Sequence, residues 1–152
     1  MEKKTEESYS RRAVVVGATG LAAGTLALGA TQAQAGALDP EKCKALADAS
    51  HASQQSCQAA LALSAQHLSE GKTEMAGCHH SCTNMLALTP AMHTVAVHGT
   101  AHPDTTRHLA SAVHKASSDC ADECENWDHP VYQQGAASAR EVSKHAKALM
   151  ES

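Results

Sequence analysis

The chain has 152 residues, 43% of them apolar, and a formal charge of −4 at neutral pH. This length suits one domain, and the mild acidity argues against nucleic acid or an anionic membrane surface as the main partner. Three features are unusual for a globular protein: the sequence has no Phe or Ile, eleven His and six Cys.

Residues 1–35 have the pattern of an export signal. A charged stretch ends in the pair Arg11 and Arg12, an apolar run covers residues 13–30, and Ala-Gln-Ala at 33–35 supplies a cleavage site. This combination is typical of a bacterial twin-Arg (Tat) signal peptide and predicts a periplasmic, exported protein. A retained membrane anchor is the alternative for the same run. We expect the folded domain to cover residues 36–152 and to have no membrane contact once the signal is removed.

Residues 36–152 hold all the Cys and His but few large apolar side chains. Leu and Val together make up about 12% of this part of the chain, below the roughly 20% that usually supports a packed core. Its Ala content and low net charge favour helix over disorder. Because hydrophobic burial is thin, we expect disulfides or a bound metal to help hold the domain together.

Helix breakers and apolar periodicity predict four helices and no strands. The predicted helices run from Asp39-Pro40 to about 69, from about 72 to 98, from 103 to 128 and from 130 to 150. Pro90 lies inside the second helix and is expected to kink it or to split it after Leu88. The predicted fold is all-α, an antiparallel up-down-up-down four-helix bundle.

In each predicted helix, residues at alternating steps of three and four positions form one face, a spacing that is typical of helices packed side by side. The four faces are Cys43, Leu46, Ser50, Ser53, Cys57, Ala60, Ser64 and His67; Met75, Cys78, Cys82, Met85, Thr89, Met92 and Ala96; Thr106, Leu109, Val113, Ala116, Cys120, Glu123 and Trp127; and Tyr132, Gly135, Ala139, Val142, Ala146 and Leu149. A plain bundle would carry mostly Leu at these positions. The excess of Cys, Met, His and Ser suggests that the interior has a chemical role.

Two C-x3-C pairs match in level along the bundle. Helices 2 and 3 fold back around residue 101, and residues 78 and 124 are equally far from it, as are residues 82 and 120. An antiparallel hairpin therefore places Cys78 beside Cys124 and Cys82 beside Cys120.

The remaining sulfur and imidazole candidates are arranged around these four thiols. Cys57 falls near the level of Cys82, Met85 lies a turn deeper, and His67 and Met75 lie nearer the end of the bundle. Cys43 is expected at the opposite end. The six Cys with His67, Met75 and Met85 are the candidate metal ligands.

The residue types leave several kinds of site open. Thiolates and thioethers along one interior suit a soft ion, for which Cu(I) is the biological choice. Two disulfides between the C-x3-C pairs are the first alternative, because an exported protein meets an oxidising environment. Zinc on four Cys and a His-based scavenger of Zn(II) or Cu(II) are the others. No arrangement of Ser, His and carboxylates has a spacing that suggests catalysis, so we do not expect an enzyme.

The twin-Arg leader, the four Ala-rich helices, C-x3-C at 78–82 and 120–124, and the segment Cys-Ala-Asp-Glu-Cys-Glu at 120–125 resemble the Cys-rich four-helix-bundle copper storage proteins. The resemblance implies thiols that bind Cu(I) at Cys57, Cys78, Cys82, Cys120 and Cys124, and it leaves Cys43 as a further candidate.

The chain departs from that family in having far fewer Cys, with none in its fourth helix. This implies a copper carrier or buffer of low capacity. The sequence does not identify the copper donor or recipient, and it is compatible with a homo-oligomer.

Overall fold

Four helices form in the order that the breakers predict. The computed structural model describes residues 38–99 and 101–152, and the predicted signal peptide at 1–35 lies outside them. The helices are α1 (Pro40–Ser69), α2 (Ala76–His98), α3 (Pro103–Glu125) and α4 (Pro130–Met150), with a short 3-10 turn at Thr73–Met75 before α2. No strand occurs within the two described ranges, which confirms the all-α prediction.

Three of the helices begin with a capping side chain followed by Pro, whose fixed φ suits the first helical position. Asp39 Oδ1 accepts the backbone N–H of Glu41 at 2.9 Å at the start of α1. At the starts of α3 and α4 a histidine replaces the usual oxygen acceptor. His102 Nδ1 accepts from Asp104 N–H at 3.3 Å, and His129 Nδ1 from Val131 N–H at 3.2 Å.

The predicted end of helix 3 and start of helix 2 differ from the structure by a few residues. Gly71 has a φ of +84°, which only Gly adopts readily, and the chain then makes the 3-10 turn, so α2 begins at Ala76 instead of Lys72. The third helix ends at Glu125 instead of Asp128, because the N–H of Trp127 turns back to Cys124 O at 3.2 Å.

Of the two outcomes expected at Pro90, a kink or a split of the second helix, the split does not occur. The helix continues through Pro90 to His98, and Pro90 itself is exposed. Its missing N–H therefore leaves a carbonyl on the water side of the helix, where solvent can satisfy it. Beside it, Thr89 Oγ1 donates to Met85 O at 3.0 Å.

Each helix packs against two neighbours, in the cyclic order α1, α2, α3 and α4. The pairing of side chains shows that neighbours are antiparallel: on α1 and α4, for example, Ser56 contacts Ser138 while His67 contacts Tyr132. The up-down-up-down bundle is therefore confirmed.

The predicted interior faces of the first, second and fourth helices are largely confirmed by burial. The prediction for the third is wrong at Leu109 and Glu123, which are only half-buried. Ala110 takes the place of Leu109 in the core, and Cys124 is fully buried, as expected of a candidate metal ligand. Along the described part of the chain, no helix is both long and apolar enough to span a bilayer.

A buried thiol cluster as candidate metal centre

Four cysteines on α2 and α3 form a cluster inside the bundle. The Sγ atoms of Cys78 and Cys124 are 3.5 Å apart, those of Cys82 and Cys120 also 3.5 Å, and those of Cys82 and Cys124 3.8 Å. All four side chains are fully buried. Cys78 and Cys82 are four residues apart on α2, as are Cys120 and Cys124 on α3. The two sulfurs of each helix therefore lie on the same face, one turn apart. The predicted pairing by level is confirmed.

Cys57 and Met85 add a second layer of sulfur, and both are fully buried. The Cys57 thiol donates to the Met85 thioether at 3.6 Å. The pKa of Cys57 is lowered, chiefly by its interaction with the Cys120 thiol. Cys120 therefore links the two layers, and sulfur runs continuously from the Cys78 level to Met85.

Three thiols of the cluster are placed as ligands of one ion would be. The sulfurs of Cys78, Cys82 and Cys124 all lie within 4.8 Å of one another. With a metal–thiolate bond of about 2.3 Å, two sulfurs on one tetrahedral or trigonal ion stand roughly 3.8–4.0 Å apart. The observed separations of 3.5 and 3.8 Å are close to this range. The cluster could hold a metal ion after small rotations of its side chains.

The four thiols of the cluster differ in acidity because of how they hydrogen-bond. The pKa of Cys124 is lowered, chiefly by hydrogen bonding with the thiol of Cys120 and then with those of Cys78 and Cys82. The pKa values of Cys78 and Cys82 change in the opposite sense. The hydrogen bond to Cys124 raises the pKa of Cys78 to about 12, and hydrogen bonding to neighbouring thiols, together with burial, raises the pKa of Cys82.

All six cysteines are free thiols in the structure. Cys43 lies apart from the cluster at the opposite end of the bundle, as predicted, where it lines a groove with Leu38, Val95 and Thr106. It is half-buried, and burial raises the pKa of its thiol. Cys43 is thus too far away to share an ion with the other five.

His67 and Met75 lie at the cluster's end of the bundle, as predicted. Met75 is buried in the apolar core, and His67 is half-buried with its Nδ1 3.3 Å from the hydroxyl of Tyr132. Within the described part of the chain, no hydrogen bond joins either side chain to a sulfur of the cluster.

Tyr132 is a neighbour of the cluster that the sequence did not single out. It is 1% exposed, and its pKa is raised to about 12 by burial and by the charge of nearby thiolates, first Cys78 and then Cys124. The periodicity of helix 4 places Tyr132 in the interior but carries no sign of its contact with His67. That contact depends on how α1 and α4 pack.

Gly135 lets α4 approach the cluster closely. A Cβ atom at this position would lie 3.3 Å from Ala60 Cβ and 3.8 Å from Cys124 Sγ. The absence of a side chain at Gly135 therefore lets α4 pack closely against α1 at Ala60, next to the Cys124 sulfur.

No protein-family model matches this sequence, and no curated protein or solved structure is significantly similar to it. The fold and the thiol cluster thus define the chain as a four-helix bundle with a candidate metal site. The resemblance to copper storage proteins stays a prediction from the cysteine pattern.

Proposed function

We propose that this protein binds Cu(I) through cysteine thiolates inside its bundle and acts as a copper buffer, carrier or small store. The observation that carries the proposal is the continuous buried row of sulfur atoms, Cys78, Cys124, Cys82, Cys120, Cys57 and Met85. Thiolate and thioether ligands favour soft ions, and Cu(I) is the softest of the common biological metals.

The geometry favours Cu(I) over structural zinc. Structural zinc sites use four ligands around one ion, usually with closer sequence spacing than C-x3-C. Here Cys78, Cys82 and Cys124 form a mutual set of three, and Cys120 lies 3.5 Å from Cys82 and also interacts with Cys57. A three-sulfur set followed by further sulfur suits two or more Cu(I) ions in a row, with low coordination numbers.

The proposed role is binding and not catalysis.

The proposed location is the periplasm, after removal of residues 1–35 by Tat export. Replacing Arg11 and Arg12 by Lys should keep the unprocessed chain in the cytoplasm, as a size shift on gels of fractionated cells would reveal. Processing of the double variant at the normal rate would contradict Tat export.

The experiment that tests copper binding is a thiol count on metal-stripped protein followed by anaerobic Cu(I) titration against a chromogenic chelator. We expect six reactive thiols after unfolding without reductant, and at least two Cu(I) ions withheld from the chelator. Six free thiols without competitive Cu(I) uptake would overturn the proposal.

A second candidate is a bundle stapled by two disulfides, and the 3.5 Å separations of Cys78 from Cys124 and of Cys82 from Cys120 favour it. Thiols this close are readily joined when an oxidant is present. In the same count, two free thiols and no copper uptake would establish this candidate. The alternative of a His-based scavenger of Zn(II) or Cu(II) predicts uptake of Zn(II) that survives alkylation of the thiols.

A further inference from the structure

Two histidines face each other on the outside of the bundle, across the α1–α2 boundary. The ring centres of His51 and His93 are 5.7 Å apart, with the ring planes tilted by 38°. His51 is exposed and His93 half-buried, whereas Cys57, nearly two turns along α1 from His51, is fully buried. The pair is therefore separate from the interior thiols.

The separation of the two rings suits a shared metal ion. Imidazole nitrogen binds Zn(II) at about 2.0–2.1 Å, which places two ring centres on one ion roughly 5.0–5.5 Å apart at tetrahedral to trigonal angles. The observed 5.7 Å is close to this distance. His51 is exposed, so its side chain can rotate to close the difference.

A carboxylate accompanies the two rings. Asp48 precedes His51 by three residues on α1 and thus lies on the same face of the helix. The Asp48 carboxylate is highly exposed, so its side chain can turn towards the two imidazoles. The ion pair with Lys44 uses Oδ2 and is highly exposed at both ends, so it competes weakly for the carboxylate.

We propose that His51, His93 and Asp48 form a surface site for a divalent transition-metal ion, Zn(II) or Cu(II), with water completing the coordination. Two imidazoles and one carboxylate are a donor set typical of these ions. The site differs in chemistry from the interior, since its nitrogen and oxygen donors are harder than thiolates. It is independent of the proposed Cu(I) function, because it uses none of the cysteines.

The test uses Zn(II) as the probe, because Cu(II) would oxidise the thiols. Zn(II) is added to the reduced protein while the imidazole resonances are followed by NMR, and the number of bound ions is measured by competition with a chelator. We expect the resonances of His51 and His93 to shift together. His51→Ala/His93→Ala should bind one ion fewer than the parent, and either single variant should weaken this binding at least about tenfold.

His98→Ala/His108→Ala removes two exposed imidazoles elsewhere and serves as the matched control. All substituted positions are helical and at most half-buried, so circular dichroism should show intact bundles. Saturation with Zn(II) without movement of the His51 and His93 resonances would overturn the proposal, as would equal losses in the two double variants. Neither result bears on Cu(I) binding, which is read from the thiols.

Discussion

The Cys124 sulfur lies 3.5 Å from that of Cys78 and 3.8 Å from that of Cys82, and hydrogen bonding with neighbouring thiols lowers its pKa. Replacing Cys124 by Ser keeps the size of the side chain but removes the most readily formed thiolate. We expect Cys124→Ser to weaken Cu(I) binding at least about tenfold and to lower the number of bound ions. Cys43→Ser, at the far end of the bundle, is the control and should leave both values nearly unchanged. Equal effects of the two substitutions, measured by chelator competition, would contradict the proposal that Cys124 is a ligand and Cys43 is not.

Because the pKa values of Cys78 and Cys82 are raised, we expect the affinity for Cu(I) to depend on pH. Because these thiols are protonated at neutral pH and must lose their protons to bind a metal, raising the pH favours binding. Release of two protons for each ion strengthens apparent affinity by about a hundredfold per pH unit. Chelator competition from pH 6 to pH 8, corrected for the chelator's own protonation, measures the slope. A flat profile would mean that the thiols are already ionised or do not bind.

At the scale of the elements, the four helices and most of their interior faces could be predicted from the sequence. Helix breakers and the three-four periodicity depend only on residues that are close together in the chain. The cluster followed from the same local signals, since hairpin symmetry alone places Cys78 beside Cys124. Two kinds of detail depend on packing between helices and could not be read in this way. The phase of α3, where Ala110 replaces Leu109 in the core, is one, and the contact of Tyr132 with His67 is the other.

Pro90 is an element-scale case in which packing overrides propensity. The helix passes through it although Pro in a helix interior costs about 3 kcal/mol relative to Ala. Because Pro90 is exposed and removes a helical hydrogen bond, we expect Pro90→Ala to raise the free energy of unfolding by about 1–3 kcal/mol. Pro40→Ala is the matched control: Pro40 stands in the first turn of α1, where no helical hydrogen bond is lost, and little gain is expected. Urea unfolding measures both variants, and equal shifts would argue against this explanation.

At the scale of the whole molecule, the interior has to stabilise the fold and, in the proposed function, also to bind metal. Many of the positions that would carry Leu in a plain bundle carry Cys, Met, Ser or Ala, and the hydroxyls of Ser50 and Ser117 are buried without a hydrogen-bond partner. Both features reduce the stability of the metal-free fold. A metal bound only by the folded state would restore it, so metal binding and folding should be strongly linked.

This linkage predicts that Cu(I) raises the melting temperature. Free Cu(I) at about a thousand times the dissociation constant stabilises the fold by about 4 kcal/mol, which corresponds to a rise of roughly 10–20 °C for a domain of this size. Calorimetry on reduced protein with and without Cu(I) measures the shift, and a copper chelator should reverse it. Cys78→Ser/Cys82→Ser should lose most of the shift, while its metal-free melting temperature should stay close to that of the reduced parent. A disulfide-stapled bundle predicts the opposite pair of results: no shift with copper, and a variant that melts well below the unreduced parent in the absence of any metal.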